Sequence, residues 1–128
     1  MKKTESPERS RRILIIEDDV SLLKAYREMF KTQDVSVVGA ATGQEGLAMV
    51  GSEKPDLILL DIMLPGGMNG FDVLEQLKRN PITQPIPVIV LTNLDSEEKV
   101  SKTIGASNYL VKANTTKDEI VKLVMSCL

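Results

Sequence analysis

The sequence predicts an α/β fold, a (βα)5 unit whose doubly wound sheet holds five parallel strands in the order 2-1-3-4-5. Three observations carry this reading. Short, unbroken apolar runs rich in Ile and Val recur along the chain, as in strands buried on both faces. Segments of helical length separate them. Polar residues that cap helices stand at the starts of those segments.

Residues 1–11 are polar, carry Pro7 and mixed charges, and read as a flexible tail ahead of one folded domain at 12–128. The first strand is 13–16 (ILII). The first helix, about 19–32, places Leu22, Leu23, Tyr26, Met29 and Phe30 on one face. A second strand at 35–38 leads to a helix at about 43–52, which Thr42 and Glu45 open as a capping box. The third strand, 57–60 (LILL), precedes a helix at about 70–79 capped by Asn69. The fourth strand is 88–91, followed by a helix at about 95–105 with Asp95 and Glu98 as its box. The fifth strand is 109–111, and a last helix at about 115–127 starts on Thr116 and Glu119.

Composition bounds the function. A chain of 128 residues is one domain, and 42% apolar with 27% charged residues describes an ordinary globule. Cys127 stands alone, which rules out an internal disulfide and fits a reducing compartment. The absence of histidine excludes a Ser-His-Asp triad, a histidine metal site and a phosphohistidine carrier. A formal charge of −2 and only four aromatics (Tyr26, Phe30, Phe71, Tyr109) argue against nucleic-acid binding. No apolar run approaches membrane-spanning length, and the start lacks the apolar segment of a signal peptide, so a cytoplasmic protein is expected.

In a doubly wound sheet, ligands gather outside the carboxyl ends of the strands, here between strands 1 and 3. Strand 1 ends in Glu17-Asp18-Asp19, strand 3 in Asp61, strand 4 in Thr92-Asn93 and strand 5 in Lys112. Taken singly, these residues have plain explanations: Asp19 caps the first helix, and Thr92 or Lys112 ends a strand. Asp61 is harder to set aside, because a charge at the mouth of a buried strand is costly when idle. Three converging carboxylates require positive charge, which a hard divalent cation such as magnesium and the Lys112 ammonium supply. A carboxylate nucleophile, a metal, a lysine and a hydroxyl are the parts that phosphoryl transfer needs.

The segments ILIIEDD, PDLILLDIMLP, PVIVLTN and GASNYLVK, in this order, resemble the receiver domain of two-component response regulators over about residues 12–128. The resemblance implies the same flavodoxin-like (βα)5 fold and a stand-alone signalling protein that is no enzyme beyond its own phosphorylation and dephosphorylation. It implies Asp61 as phosphoacceptor, Glu17, Asp18 and Asp61 as holders of Mg2+, and the backbone carbonyl of Met63 as a further ligand. Thr92 then follows the phosphoryl group, Lys112 pairs with it, and Tyr109 reports the switch by turning inward. The implied partners are a histidine kinase or phosphotransfer protein as donor and a downstream protein as target, or onward transfer in a phosphorelay.

Several positions depart from the family pattern. The stretch Pro65-Gly66-Gly67-Met68-Asn69-Gly70 holds an extra residue, and Asn93 replaces a smaller residue. Thr92 and Lys112 are closer in sequence than usual, so the fourth helix is expected to be clipped. Ala113 replaces a proline, yet the resemblance and the need to aim Lys112 at Asp61 lead us to expect a cis Lys112–Ala113 bond. Met63 and Leu94 offer no group to orient water, which implies a slowly decaying phosphoprotein. Two rival readings remain. A haloacid-dehalogenase-type phosphatase would want an acid at position 63, where Met63 stands. A constitutive, unphosphorylated receiver-like adaptor would have lost one of the site residues, all of which are present.

Overall fold

The computed structural model describes residues 10–128. Five strands, β1 (Arg11–Ile16), β2 (Val35–Ala40), β3 (Leu57–Leu60), β4 (Val88–Thr92) and β5 (Asn108–Val111), form one parallel sheet in the order β2-β1-β3-β4-β5. Five helices alternate with them: α1 (Val20–Met29), α2 (Gly43–Glu53), α3 (Gly70–Arg79), α4 (Glu98–Ile104) and α5 (Lys117–Cys127). A 3-10 turn at Lys112–Asn114 joins β5 to α5.

The apolar runs are unbroken because alternate residues of β1, β3 and β4 feed two different cores. Leu14, Ile16, Ile58, Leu60, Val88 and Val90 pack with Val50 of α2 and with Val73, Leu74 and Leu77 of α3. Ile13, Ile15, Leu57, Leu59, Ile89 and Leu91 pack with Tyr26 of α1 and with Ile120 and Val124 of α5. Both faces of a central strand are dry, so neither can carry polar residues. The edge strands behave differently: β5 is half-buried throughout, and β2 is half-buried up to Ala40.

Most helix starts follow the local signals. The Asp19 carboxylate accepts from Leu22 N at 3.0 Å, and Thr42 Oγ1 from Glu45 N at 3.1 Å. Asn69 with Asp72, and Thr116 with Glu119, form reciprocal capping boxes. The fourth helix is the exception. It has only seven residues, as the clipped spacing implies, but it starts at Glu98 without a side-chain cap, and Asp95 lies in the preceding loop. Leu94 is held otherwise, by a local bond and a tertiary one: its N donates to Thr92 Oγ1, and its carbonyl accepts the Tyr109 hydroxyl. Helical bonding begins only where the Glu97 carbonyl takes Ser101 N, at 3.0 Å. At the other boundary β1 opens at Arg11, paired with Val35, one residue inside the expected tail. The rest of that tail, residues 1–9, lies outside the described residues.

Candidate functional site

Parallel register builds the site. Ile16 pairs with Leu60, and Leu60 with Val90, so β1, β3 and β4 end at nearly the same height. The ladder runs on past the strands: Glu17 N donates to the Ala40 carbonyl at 2.9 Å, and Asp61 N to the Ile16 carbonyl at 3.1 Å. Glu17 and Asp61 therefore stand side by side, 3% and 6% exposed, with Asp18 exposed at the mouth. Carboxylate oxygens of Glu17, Asp18 and Asp61 lie within 4.8 Å of one another.

Lys112 spans the two buried acids. Its Nζ donates to Glu17 Oε1 at 2.5 Å and to Asp61 Oδ2 at 2.7 Å. The remaining oxygens are held by main chain: Glu17 Oε2 accepts from Asp19 N at 3.1 Å, and Asp61 Oδ1 from Met63 N at 3.1 Å. Burial lowers the affinity of Lys112 for its proton, but the hydrogen bonds to Asp61 and Glu17 outweigh that and hold its pKa above the usual range. Burial pushes the Glu17 carboxyl up, against the pull of the Lys112 hydrogen bond. The Asp61 charge adds to the rise at both groups, in a cluster with more negative than positive charge. An all-oxygen donor set with surplus negative charge fits a hard divalent cation. Magnesium suits these residues by donor type and charge.

The expected bond geometry after Lys112 is corrected. Among the described residues no peptide bond is cis, so Lys112–Ala113 is trans. The 3-10 turn beginning at Lys112 brings Nζ to Asp61 without it, and no isomer change is needed for the ammonium to arrive.

Thr92, wholly buried at the end of β4, accepts from Leu94 N at 3.4 Å. Tyr109 is half-buried against the α2/α3-side core, and its hydroxyl donates to the Leu94 carbonyl. Desolvation raises its phenol pKa. In this structure the hydroxyl is satisfied by a neutral carbonyl, while the charges of Glu97, Asp95 and Glu98 also bear on the ring. Met63 contributes its N–H to Asp61 and leaves its side chain 57% exposed. Leu94 is half-buried on the same core, and Asn93 is exposed.

Gly70 is a site residue that motif reading missed. A Cβ there would lie 2.3 Å from the Asp61 carbonyl oxygen and 2.6 Å from Ile62 Cα. Only glycine lets α3 begin against the peptide that carries Asp61, while Gly70 N donates to the Ile62 carbonyl at 2.8 Å. The glycine is plain in the sequence, but the close approach depends on where α3 docks.

A five-stranded parallel sheet with three acids, a threonine and a lysine at its carboxyl ends defines a receiver, a signalling domain rather than a conventional enzyme. The comparisons agree: the chain belongs to the response regulator receiver domain family, whose model matches residues 13–125. It is 40% identical over 103 residues to Protein PilH of Pseudomonas aeruginosa, spanning 79% of this chain and 84% of PilH. Other curated relatives are longer proteins, and the chain spans half their length or less. Among solved structures, the BeF3-activated N-terminal receiver domain of Klebsiella pneumoniae RstA superposes with a TM-score of 0.81 at 30% identity, covering 91% of this chain and 98% of that one. The Mn(2+)-bound form of response regulator Rcp1 superposes with a TM-score of 0.76 at 32% identity, covering 91% and 90%. The likeness to receivers agrees with phosphoacceptor signalling. Among the described residues, no helix is long and apolar enough to cross a membrane.

Proposed function

We propose that Asp61 is the phosphoacceptor, that Glu17, Asp18, Asp61 and the Met63 carbonyl hold Mg2+, and that Thr92 and Lys112 stabilise the transferred group. The observation that carries this is Lys112 bridging two buried acids inside a three-carboxylate cluster. Burying a lysine between acids carries a desolvation cost, and such charge clusters are concentrated at functional sites. The donor is a phosphohistidine on a kinase or phosphotransfer protein, and the output is contact with a downstream protein or onward relay. The similar response regulator Rcp1 is described in a Mn(2+)-bound form, which supports a divalent cation as a ligand of this fold.

The chain's own groups account for the chemistry. An Asp61 oxygen attacks phosphorus as the bond to the donor's imidazole nitrogen breaks. Bound magnesium supplies the positive charge that lets phosphoryl oxygens approach three carboxylates. Lys112 Nζ, already at Asp61 Oδ2, transfers one hydrogen bond to a phosphoryl oxygen. Thr92 turns its hydroxyl from accepting Leu94 N to donating toward the new dianion, a stronger acceptor than any it now meets. That turn releases Leu94 N, and the Tyr109–Leu94 contact carries the change into the loop before α4.

The test is intact-mass measurement after incubation with magnesium and a small acyl-phosphate donor. Wild type gains one phosphoryl group, and Asp61→Ala gains none; equal labelling would overturn the assignment. Chelating the metal should also abolish labelling.

The same reading sets the lifetime. Neither the exposed Met63 thioether nor the core-packed Leu94 can orient water, and such assistance is typically worth about 10²–10⁴-fold. Slow phosphate loss is therefore expected, and Leu94→Asn should shorten it by about tenfold or more. Radiolabel decay after donor removal measures both; fast wild-type loss or an unchanged variant would refute the idea.

A further inference from the structure

The loop between β3 and α3 needs external support. It carries Met63, and Gly66 and Gly67 adopt φ of +87° and +81°. Two adjacent glycines in left-handed conformations have little intrinsic preference for this shape over others. Its start is held by Met63 N on Asp61 Oδ1 and by Leu64 N on the Ile62 carbonyl, both at 3.1 Å, and its end by the Asn69–Asp72 box and the wedge at Gly70. Among the described residues, no hydrogen bond from within the loop holds Gly66 or Gly67 between those ends.

The first turn of α2 provides that support. Gln44 Nε2 donates to the Gly66 carbonyl at 2.9 Å, an interaction between residues 22 positions apart. Next to it, Gly43 lies against Met68: a Cβ on residue 43 would stand 3.1 Å from both the Met68 carbonyl oxygen and its Cγ. The turn itself is rigid. Thr42 Oγ1 accepts from Glu45 N at 3.1 Å, and Glu45 Oε1 accepts from Ala41 N at 2.7 Å. Gly46 presses on Ile16, the last residue of β1 before Glu17, where a Cβ would come within 2.4 Å. The shelf is thus referenced to the same strand that delivers the acids.

We infer that Gln44 is a positioning residue for phosphoryl transfer: its amide holds the Gly66–Gly67 segment on the α2 shelf and so fixes the main chain of Met63 relative to Asp61. The inference rests on Asp61 being the acceptor. Gln44 touches neither the acids nor Lys112, so it acts only through the loop. It is exposed, so its replacement leaves the core untouched. The amide must donate; a carboxylate in its place would face the Gly66 carbonyl with no proton to offer.

The experiment compares wild type, Gln44→Ala, Gln44→Glu and Asp61→Ala as full chains. Magnesium chloride alone is titrated by calorimetry, labelling by a small acyl phosphate is followed by intact mass, and thermal unfolding is recorded in chelator. Losing one hydrogen bond's worth of ordering should weaken magnesium binding and slow labelling by about 3- to 10-fold in both Gln44 variants. The unfolding midpoint in chelator should stay at the wild-type value. Amide exchange at Met63, Gly66 and Gly67 should quicken in those variants, with exchange in β1 and β3 unchanged. Wild-type affinity and rate in Gln44→Ala, while Asp61→Ala fails to label, would overturn the positioning role and leave the acceptor standing. A matching fall in the unfolding midpoint would assign Gln44 to general stability and overturn it too. Equal labelling of Asp61→Ala would instead mark failure of the acceptor reading beneath it.

Discussion

Lys112→Met should unfold at markedly lower denaturant than wild type when metal is chelated, and should label at a small fraction of the wild-type rate. The change removes the ammonium shared by Glu17 and Asp61 and leaves two nearly buried carboxylates facing each other. Breaking a buried pair by deleting one partner typically costs about 3–5 kcal/mol, mostly because the abandoned charge stays desolvated. Magnesium should recover part of that loss, since a ligand that binds only the folded state stabilises it by mass action. Asp61→Asn offers the contrast. It takes one negative charge from an over-negative cluster and leaves Lys112 paired with Glu17, so its stability should stay within about 1 kcal/mol of wild type. Urea titrations with chelator and with magnesium test all of these. A Lys112→Met protein as stable as wild type in chelator would mean the two acids tolerate burial without their shared cation.

A comparably large effect is expected at Gly70. The smallest side chain that can be added there overlaps the Asp61 carbonyl oxygen at 2.3 Å, and the obstacle is backbone that cannot swing aside. Gly70→Ala must therefore push the start of α3 off the β3 exit. Overpacking of this kind costs about 1–3 kcal/mol, and here it also displaces the peptide that carries Asp61. Labelling should fall by more than the loss of folded protein explains. Gly51 is the control for glycine itself. It lies on the exposed side of α2, where a Cβ meets nothing within 4 Å. Gly51→Ala should stabilise the protein by about 0.4–1 kcal/mol, by restricting the unfolded chain and favouring the helix. Matched denaturation curves separate the two, and destabilisation by both changes would show that packing at residue 70 is not the cause.

Much of this molecule is written in short-range signals. The runs at 13–16, 57–60 and 88–91 are apolar at every position because each residue enters one core or the other, and that pattern predicts central parallel strands. Thr42, Asn69 and Thr116 start their helices because the bonds they make reach only three residues along the chain. Placing Glu17, Asp18, Asp61, Thr92 and Lys112 at strand ends required only those runs and the shorter one at 109–111.

What the sequence could not decide were contacts between distant segments. Lys112 reaches Glu17 across 95 positions and does so over a trans bond, because a 3-10 turn redirects the chain. The Asp95 cap looked sound locally but lost to Thr92 and Tyr109, which fix Leu94 and delay α4 until Glu98. Tyr109 found its partner without a phosphoryl group. The roles of Gly70 and Gln44 exist only once α2 and α3 have docked beside Asp61. Periodicity and capping are properties of a few consecutive residues, so the sequence by itself determined the sheet, most helix starts and the residues at the strand ends. Which of those groups share a hydrogen bond, a packing wall or a loop depends on distances that only the folded arrangement sets.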